Sequence, residues 1–200
     1  MTGILKVDQW KDSGDNTLMT SDGAGVLTAN AGIIIPSGAT ITNNGTASGF
    51  GKIGQVVTST LSSQVSLTIS GATDIGLSAS ITPTSTSSKI LILYKLNYSN
   101  ASGDGFVGRL VRNSTNIFLG DSGTGQQGTL SFQTANMNNY WSLEAGGSFL
   151  DTPSTTSSTT YKFQAVPTAG TLTMYFNRTA RGGSGDPLVP SSITLMEVLA

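Results

Sequence analysis

The sequence contains neither cysteine nor histidine. Without cysteine there is no disulfide, no thiolate nucleophile and no zinc–thiolate site. Without histidine there is no proton shuttle near neutral pH and no imidazole ligand for a metal. These absences remove most of the usual catalytic repertoire. We therefore expect a protein that is not an enzyme and that uses no metal or other cofactor.

Charge is also scarce. Ten basic and eleven acidic residues make up 10% of the 200 residues, under half of the share in an ordinary globular protein. Serine, threonine, glycine and asparagine replace them on the predicted surface. No run of either sign offers an electrostatic footprint for nucleic acid or for an anionic bilayer. A nucleic-acid partner is therefore not expected.

Long apolar stretches are absent as well. The opening segment MTGILKVDQWKDSGDN mixes charges into its first dozen residues, and the run ILILY has the length of a strand and not of a membrane span. We expect no membrane insertion and no secretion. The sequence thus predicts a protein that is made and kept in a cytoplasm.

The chain changes character near Gly54, which divides it into a predicted N-terminal segment, 1–54, and a C-terminal domain, 55–200. Before Gly54, short apolar clusters such as ILKV and GIIIPSG alternate with glycine, asparagine, aspartate and serine. No part of this segment is long or periodic enough to form a core by itself. The rest of the chain is about three times longer and regular in pattern.

Several large apolar side chains of the N-terminal segment need a partner. Trp10, Ile33, Ile34 and Ile35 would each cost about 1.5 to 3 kcal/mol if left in water. Three chains wound together bring such clusters to a common axis, which gives a thin β-structured stalk a core. We therefore predict an intertwined anchor or stalk of a homotrimer, in which these four residues contact other subunits or the protein to which the anchor attaches.

From Gln55 onward, runs rich in valine, isoleucine, leucine, threonine and aromatics recur every ten to fifteen residues, with turn residues between them. Alternation is visible in TYKFQAV, where Tyr161, Phe163 and Ala165 share one face. The pattern predicts an all-β fold, namely an antiparallel jelly-roll sandwich of two sheets with four or five strands each.

The chain ends on SSITLMEVLA, which is apolar on both faces. Such a strand belongs in the middle of a sheet, with the opposing sheet on one side and another subunit or a covering loop on the other. We expect it beside the strand that begins near GQVVTST. Glu197 conflicts with this position unless its carboxylate reaches solvent or pairs with a cation such as Lys52 or Lys89.

Three stretches carry a resemblance to known proteins. The segments GILKVDQWKDSGDNTLMTSDGAG and GIIIPSGATIT are similar to the N-terminal segments of bacteriophage tail-fibre and appendage proteins, and SSITLMEVLA resembles the last strand of marine bacteriophage virion proteins. The sandwich plan resembles the jelly-roll trimers of the complement-C1q and tumour-necrosis-factor type. In those trimers the first and last strands lie side by side next to the stalk.

The resemblance implies a homotrimeric virion structural protein, assembled in the cytoplasm of a host bacterium. Its N-terminal segment would attach to other tail or capsid proteins, and its head would adhere to the host surface as a short tail fibre or appendage. A capsid decoration or head-fibre protein is the alternative. A polysaccharide-degrading spike is disfavoured because it needs paired carboxylates, whereas the two glutamates, Glu144 and Glu197, are far apart in sequence.

Two stretches are candidate receptor-binding sites. Tyr140 and Trp141 stand at the start of a predicted strand, where they serve either the core or a contact with a saccharide or a subunit. The stretch NRTARGGSGDP is a predicted loop with Arg178 and Arg181. Arg181 could pair across a trimer seam, touch an acidic glycan, or remain a solvated charge. The oxygen-rich stretch DSGDN at 12–16 lacks the ligand spacing of a calcium loop and is predicted to be a turn.

Overall fold

The structure is a computed structural model that describes residues 9–21, 27–29, 53–100, 105–121, 123, 125–132 and 139–199. The chain divides into two compact units, Met1–Phe50 and Gly51–Ala200. Each unit is described by itself below. The predicted contact residues Ile33, Ile34 and Ile35 lie outside the described residues.

The described residues form strands and turns but no helix, so the predicted all-β class is confirmed. Accordingly, this part of the chain offers no helix that could cross a membrane. The strands are β1 (Gln9–Lys11), β2 (Thr17–Ser21), β3 (Leu27–Ala29), β4 (Ile53–Leu61), β5 (Val65–Ile69), β6 (Thr73–Ile81), β7 (Lys89–Asn100), β8 (Phe106–Arg112), β9 (Thr115–Ile117), β10 (Leu130–Phe132), β11 (Leu143–Asp151), β12 (Thr159–Pro167), β13 (Leu172–Phe176) and β14 (Ser191–Val198).

The first unit contains a three-stranded antiparallel sheet in the order β1-β2-β3. The link between β1 and β2 is the predicted turn: Asp12 Oδ1 accepts hydrogen bonds from the backbone N of Gly14 at 2.8 Å and of Asn16 at 2.9 Å. These bonds use the aspartate as a turn former. Trp10 lies on β1 with 38% of its surface exposed, and its contact with another subunit stays a prediction.

The second unit is a sandwich of two antiparallel sheets. The first is called the terminal sheet. Along one of its edges lie β4 and β5, which pair with β14 and β13, respectively. Both β13 and β14 pair with the same edge of β7, and β11 pairs with the other edge of β7. The second, called the opposing sheet, has the order β6, β12, β8, with β9 and β10 both along the outer edge of β8.

The strand order is that of a jelly roll. When β4 and β5, β9 and β10, and β13 and β14 are each taken as one interrupted strand, eight strands remain, with the orders 1-8-3-6 and 2-7-4-5. Consecutive strands therefore cross between the sheets almost every time, as in two linked Greek keys. The predicted antiparallel jelly-roll sandwich is confirmed.

The core lies between the sheets and follows the alternation of the sequence. Tyr161, Phe163 and Ala165 on β12 face inward and are at most 1% exposed, as predicted. They pack against the inward residues of the terminal sheet, among them Ile193 and Leu195 of β14. Burial of this many large apolar side chains, at about 1.5 to 3 kcal/mol each, is the main source of stability.

The final strand is central, as its two apolar faces predict. β14 pairs with β4 on one edge and with β7 on the other. The apolar outer side of β14 belongs to a row that crosses the whole terminal sheet and that is not covered by the described part of the chain: Val56 is 54% and Leu150 45% exposed. This apolar row consists of Val56, Met196, Leu91 and Leu150.

Glu197 departs from the expectation for it. Its side chain faces inward and is fully buried, and no described lysine or arginine forms an ion pair with it. Neutral donors satisfy the carboxylate instead: Gln55 Nε2 at 2.7 Å, Thr84 N at 2.6 Å and Thr84 Oγ1 at 2.7 Å. The expectation that this carboxylate reaches solvent or pairs with Lys89 is therefore wrong, because hydrogen bonds to the charged form supply the compensation. Lys52 lies outside the described residues.

A second buried carboxylate joins the two sheets. Asp151, at the end of β11, accepts a hydrogen bond from Tyr161 Oη at 2.6 Å and lies 2.9 Å from Arg112 Nη1 through each of its oxygens. Asp151 belongs to the terminal sheet, whereas Arg112 and Tyr161 belong to the opposing sheet. The three side chains therefore form a polar clip across the sandwich at one end of its core.

Candidate functional site

The candidate site is built around residues 177–190, here called the outer loop, which leave and rejoin the terminal sheet between β13 and β14. β13 and β14 occupy one strand position in this sheet, β13 beside β5 and β14 beside β4. Asn177 fixes the point of departure: its Nδ2 donates to the carbonyl oxygens of Leu61 at 2.7 Å and Ser63 at 2.9 Å, and its Oδ1 accepts from Ser191 Oγ at 2.7 Å. One buried side chain thus holds both ends of the loop.

The outer loop covers part of the outer face of the terminal sheet. Asn97 and Ser99 point outward from β7, yet they are 4% and 0% exposed, and Ser99 Oγ donates to the carbonyl oxygen of Arg178 at 2.8 Å. The covering loop that the sequence allowed above the central strands is therefore present at this end of β7. No described residue covers the apolar row at the other end of β7.

Asp186 organises the inside of the loop. Its Oδ2 accepts hydrogen bonds from Thr179 Oγ1 at 2.6 Å and from Gly183 N at 2.8 Å, and its Oδ1 lies 2.8 Å from Arg181 Nη2. The hydrogen bond from Thr179 lowers the pKa of Asp186, and the donors on Gly183 and Arg181 add to this effect against that of burial. Hydrogen bonds and an ion pair within the outer loop therefore hold its conformation.

Arg181 connects the outer loop to the segment that precedes β11. Its guanidinium carbon lies 4.5 Å from the ring centroid of Tyr140, and its backbone N donates to the carbonyl oxygen of Asn139 at 2.9 Å. A guanidinium above an aromatic ring is attracted by the negative face of the ring. Arg181 is thus paired within its own chain, through Tyr140 and Asp186.

Tyr140 and Trp141 lie in a turn before β11 and not within the strand. Tyr140 is 56% and Trp141 60% exposed. The interpretation as core residues is therefore wrong, because the chain reaches the sheet only at Leu143. Their role in contacts with a saccharide or a subunit stays a prediction.

Arg178 is held in place without a carboxylate partner among the described residues. Its guanidinium carbon lies 5.1 Å from the ring centroid of Tyr175, and its Nε donates to the carbonyl oxygen of Thr179 at 3.0 Å. The backbone of Gly182, with φ at +61°, lies so close that a Cβ there would overlap the guanidinium. Glycine is thus required by both the backbone angle and the space.

An open depression adjoins this arginine. It is lined by Arg178, by the glycine-rich stretch 182–185 and by Asp186, with Gln64 and Leu188 at its sides. Leu188 is 59% exposed. We call the surface formed by Tyr140, Trp141, Arg178 and Arg181 the arginine–aromatic patch.

The sequence named all four members of the patch but not the residues that assemble it. The sequence pattern does not reveal the structural roles of Asn177, Thr179 and Asp186, although all three occur in the stretch NRTARGGSGDP. The signal available there was an aspartate placed just after glycines, in a loop whose arginines need a counter-charge. Which hydroxyl and which amides it would bind depends on the path of the loop.

The two glutamates are not arranged for hydrolysis of a glycosidic bond. Glu144 lies opposite Asn97 and Glu197 opposite Ile90 on β7, seven residues apart, which is about 23 Å at about 3.3 Å per residue. Glycosidases place two carboxylates about 5 to 10 Å apart. Moreover, Glu144 pairs with Lys95 at 3.0 Å on the outer surface, whereas Glu197 is buried. Among the described residues there is also no cluster of acidic side chains that could hold a metal ion.

Comparisons with known proteins assign no family. No protein-family model matches the sequence, and no curated protein matches it. Among solved structures, the chain is similar to a chain in "Structure of infectious bursal disease virus Gx strain", with 14% sequence identity and a TM-score of 0.39. The alignment covers 73% of this chain and 37% of that chain. A similarity of this size leaves both family and function open.

Proposed function

We propose that this protein is a structural protein of a bacteriophage virion, a trimeric tail fibre or appendage whose jelly-roll head binds the host surface. The observation that carries the adhesive role is the arginine–aromatic patch. Tyr140 and Trp141 are more than half exposed, and the guanidinium of Arg181 lies over the ring of Tyr140, on a loop that its own hydrogen bonds hold in shape. Exposed aromatic and arginine side chains are the residue types enriched at binding hot spots.

The proposal requires no chemistry at the site. Adhesion would result from a weak contact made by each of three heads, so that simultaneous binding supplies the strength that one patch lacks. The outer loop supports this role because its shape is fixed before the ligand arrives, which reduces the entropy lost on binding. A polysaccharide-degrading spike is not supported by the two glutamates, given their separation and their different surroundings.

The trimer is part of the same proposal. Its support in the head is the apolar row, whose members Val56 and Leu150 are about half exposed on the outer face of the terminal sheet. Apolar area of this kind on a sheet that is otherwise well packed is typical of a subunit contact. The N-terminal segment, 1–54, would add the intertwined anchor and the attachment to other virion proteins.

Antibody labelling of virions tests the proposal. Virions from a host that produces this protein would be incubated with antibodies against the head, labelled with gold and imaged. Label at the tail is expected. Label spread over the capsid would replace the tail-fibre assignment by that of a decoration or head-fibre protein. Virions without label, in a preparation where the protein is present as a free chain, would contradict a place in the virion altogether.

A cell-binding assay tests the adhesive role of the patch. The full-length protein is expected to sediment with host cells, and the double variant Tyr140→Ala, Trp141→Ala is expected to lose this binding. Thr115→Ala on β9, an exposed position of the opposing sheet, serves as the control for an ordinary surface change. Equal binding of all three proteins would rule out the patch as the adhesive surface.

A further inference from the structure

Arg178 is pre-oriented for a ligand. Its guanidinium lies over the ring of Tyr175 and close against the backbone of Gly182, while its Nε donates to the carbonyl oxygen of Thr179. Arg178 also lines the open depression of the outer loop. An arginine held in this way presents two parallel N–H donors, a geometry that matches the two oxygens of a carboxylate.

The neighbouring charges leave this arginine available. The carboxylate of Asp186 also lines the depression, but three donors already occupy it: Thr179, Gly183 and Arg181. Asp186 therefore serves the shape of the loop and is not the partner of Arg178. In a chain with a net charge of −1, a single oriented arginine suits a ligand with isolated negative charges. A nucleic acid, with a phosphate at every step, would need many more cations.

The second half of the patch offers flat apolar surface. The ring of Tyr140 is kept in position by Arg181, whose guanidinium lies 4.5 Å from its centroid. Trp141 follows directly and is 60% exposed. Arg178 packs against Gly182 and Arg181 against the next residue, Gly183, so both arginines are held by the same glycine-rich stretch of the outer loop. Aromatic side chains with one polar end suit ligands that are partly apolar and partly hydrated.

We propose that the arginine–aromatic patch binds an acidic polysaccharide. Arg178 would bind the carboxylate of a uronic or sialic acid unit, and Tyr140 and Trp141 would stack against the pyranose rings. Arg181 acts as a positioning residue, because it holds Tyr140 and closes the loop through Asp186. This inference rests on the proposed adhesive function and adds the chemical class of the receptor.

Tryptophan fluorescence provides the test. The chain has two tryptophans, so the full-length Trp10→Phe variant retains Trp141 as the sole reporter at the patch. Four oligosaccharides would be titrated, namely oligomers of galacturonate, glucuronate and mannuronate and an N-acetylneuraminate oligomer. The methyl ester of each would be titrated beside it, because the ester keeps the rings and removes the charge. We expect at least one acid to change the emission of Trp141 and to bind about tenfold or more tightly than its ester. This difference corresponds to the charge-assisted hydrogen bond that the ester cannot form.

Variants of Arg178 test whether its paired N–H donors cause the difference in affinity between acid and ester. In the same background, Arg178→Gln is expected to abolish the difference between acid and ester, and Arg178→Lys to retain part of it, because lysine keeps the charge but not the paired donors. Lys95→Gln changes the net charge by the same amount on the outer surface and is expected to leave binding unchanged. Near-ultraviolet circular dichroism of each variant would show that the head remains folded.

Each outcome has a meaning for the proposal. Equal binding of an acid and its ester would overturn the role of Arg178 in reading a carboxylate, while stacking on the aromatics would stand. An equal loss of affinity for the acid in Lys95→Gln and Arg178→Gln would show that binding depends only on net charge. This result would overturn a specific site. No binding of any of the four acids would overturn the saccharide inference itself. Failure of the virion proposal would be seen separately, in the antibody labelling.

Discussion

Thr84 donates two hydrogen bonds to the same carboxylate oxygen of Glu197, from its backbone N at 2.6 Å and from its Oγ1 at 2.7 Å. Gln55 donates to the other oxygen at 2.7 Å. Gln55 lies on β4, Glu197 on β14 and Thr84 in the link between β6 and β7. One buried carboxylate therefore connects the first and last strands of the terminal sheet to the chain that crosses from the opposing sheet.

The pKa of Glu197 predicts how the stability of the head depends on pH. Burial alone would raise this pKa, but the hydrogen bonds from Gln55 and Thr84 outweigh it and lower the pKa from 4.5 to about 2. Because the folded-state pKa is depressed, the stabilisation is complete above pH 4.5 and is lost as the pH falls from 4.5 towards 2. We expect denaturant unfolding to show a loss of up to about 3 kcal/mol over this window.

Glu197→Gln isolates this contribution. The amide would place an NH₂ group among donors, so the variant is expected to be less stable at pH 7 by about 2 to 4 kcal/mol and to lose less stability than the wild type between pH 4.5 and 2. Glu144→Gln, at an exposed ion pair with Lys95, is expected to change stability by less than about 1 kcal/mol. An unaltered pH profile in Glu197→Gln would contradict the assignment.

The two faces of the final strand are expected to differ in their sensitivity to truncation. Leu195 faces the core and is fully buried, whereas Met196 belongs to the apolar row on the outer face. Leu195→Ala is expected to cost about 2 to 5 kcal/mol of unfolding free energy, because it leaves a cavity. Met196→Ala is the matched control and is expected to lower the free energy of unfolding of the monomer by less than about 1.5 kcal/mol. Similar losses at both positions would contradict the orientation of β14.

Deletion of residues 194–200 is expected to prevent folding of the head. It removes the hydrogen bonds of β14 to both β4 and β7 and the core contacts of Leu195, and it exposes two new strand edges. Met196 and Val198, which the deletion also removes, face outward and do not line the core cavity left by Leu195. Solubility and the near-ultraviolet dichroism of Trp141 and the tyrosines provide the measurement. A soluble product with an intact aromatic signal would show that β14 is dispensable.

The polar clip between the sheets is expected to stabilise the head through Asp151. Tyr161→Phe removes one hydrogen bond and leaves the ion pair with Arg112, so a loss of about 1 to 2 kcal/mol is expected. Arg112→Met leaves a buried carboxylate without its cation and is expected to cost about 3 to 5 kcal/mol. A double-mutant cycle by denaturant unfolding measures the coupling. Strictly additive losses would show that the three side chains do not act together.

The apolar row is expected to contribute to self-association. Native mass spectrometry of the full-length chain is expected to show a trimer, which deletion of the first fifty residues disrupts. Leu150→Lys would place a charge in the row and is expected to weaken the trimer, because a charge buried at an interface is costly. Thr115→Lys adds the same charge at an exposed position on β9 and is expected to have no effect. A stable monomer of the full-length protein would contradict the trimer.

Most of the fold could be predicted from the sequence because strand signals are local. The alternation of Tyr161, Phe163 and Ala165 assigns the core face of β12, and the continuous apolar run ILILY makes β7 a central strand. The breaks that divide single jelly-roll strands into two, such as the break between β13 and β14, are harder to predict. Nothing in the local pattern indicates that β13 and β14 continue one line, since this depends on Asn177 reaching the backbone of Leu61 and Ser63, more than 100 residues earlier.

The candidate site could be predicted only as a list of residue types. Rare arginines in a charge-poor chain and a tyrosine–tryptophan pair stand out in the sequence, and they were named for that reason. Their exposure was not predictable, because the two aromatics stand three and two residues before Leu143, where β11 begins, and the pattern there resembles the start of the strand. The position of Tyr140 beside Arg181 depends on a loop that lies some forty residues later in the sequence.

By itself, the sequence determined the all-β class, the inward faces of the strands, the central place of the last strand and the absence of thiol and imidazole chemistry. These follow from composition and from the period of two along a strand. Only the tertiary structure decided what surrounds Glu197, which parts of the outer face are covered and how Arg181 meets Tyr140. Those contacts join residues far apart in the chain, such as Gln55 and Glu197 at a separation of 142, and they exist only after the sheets have assembled.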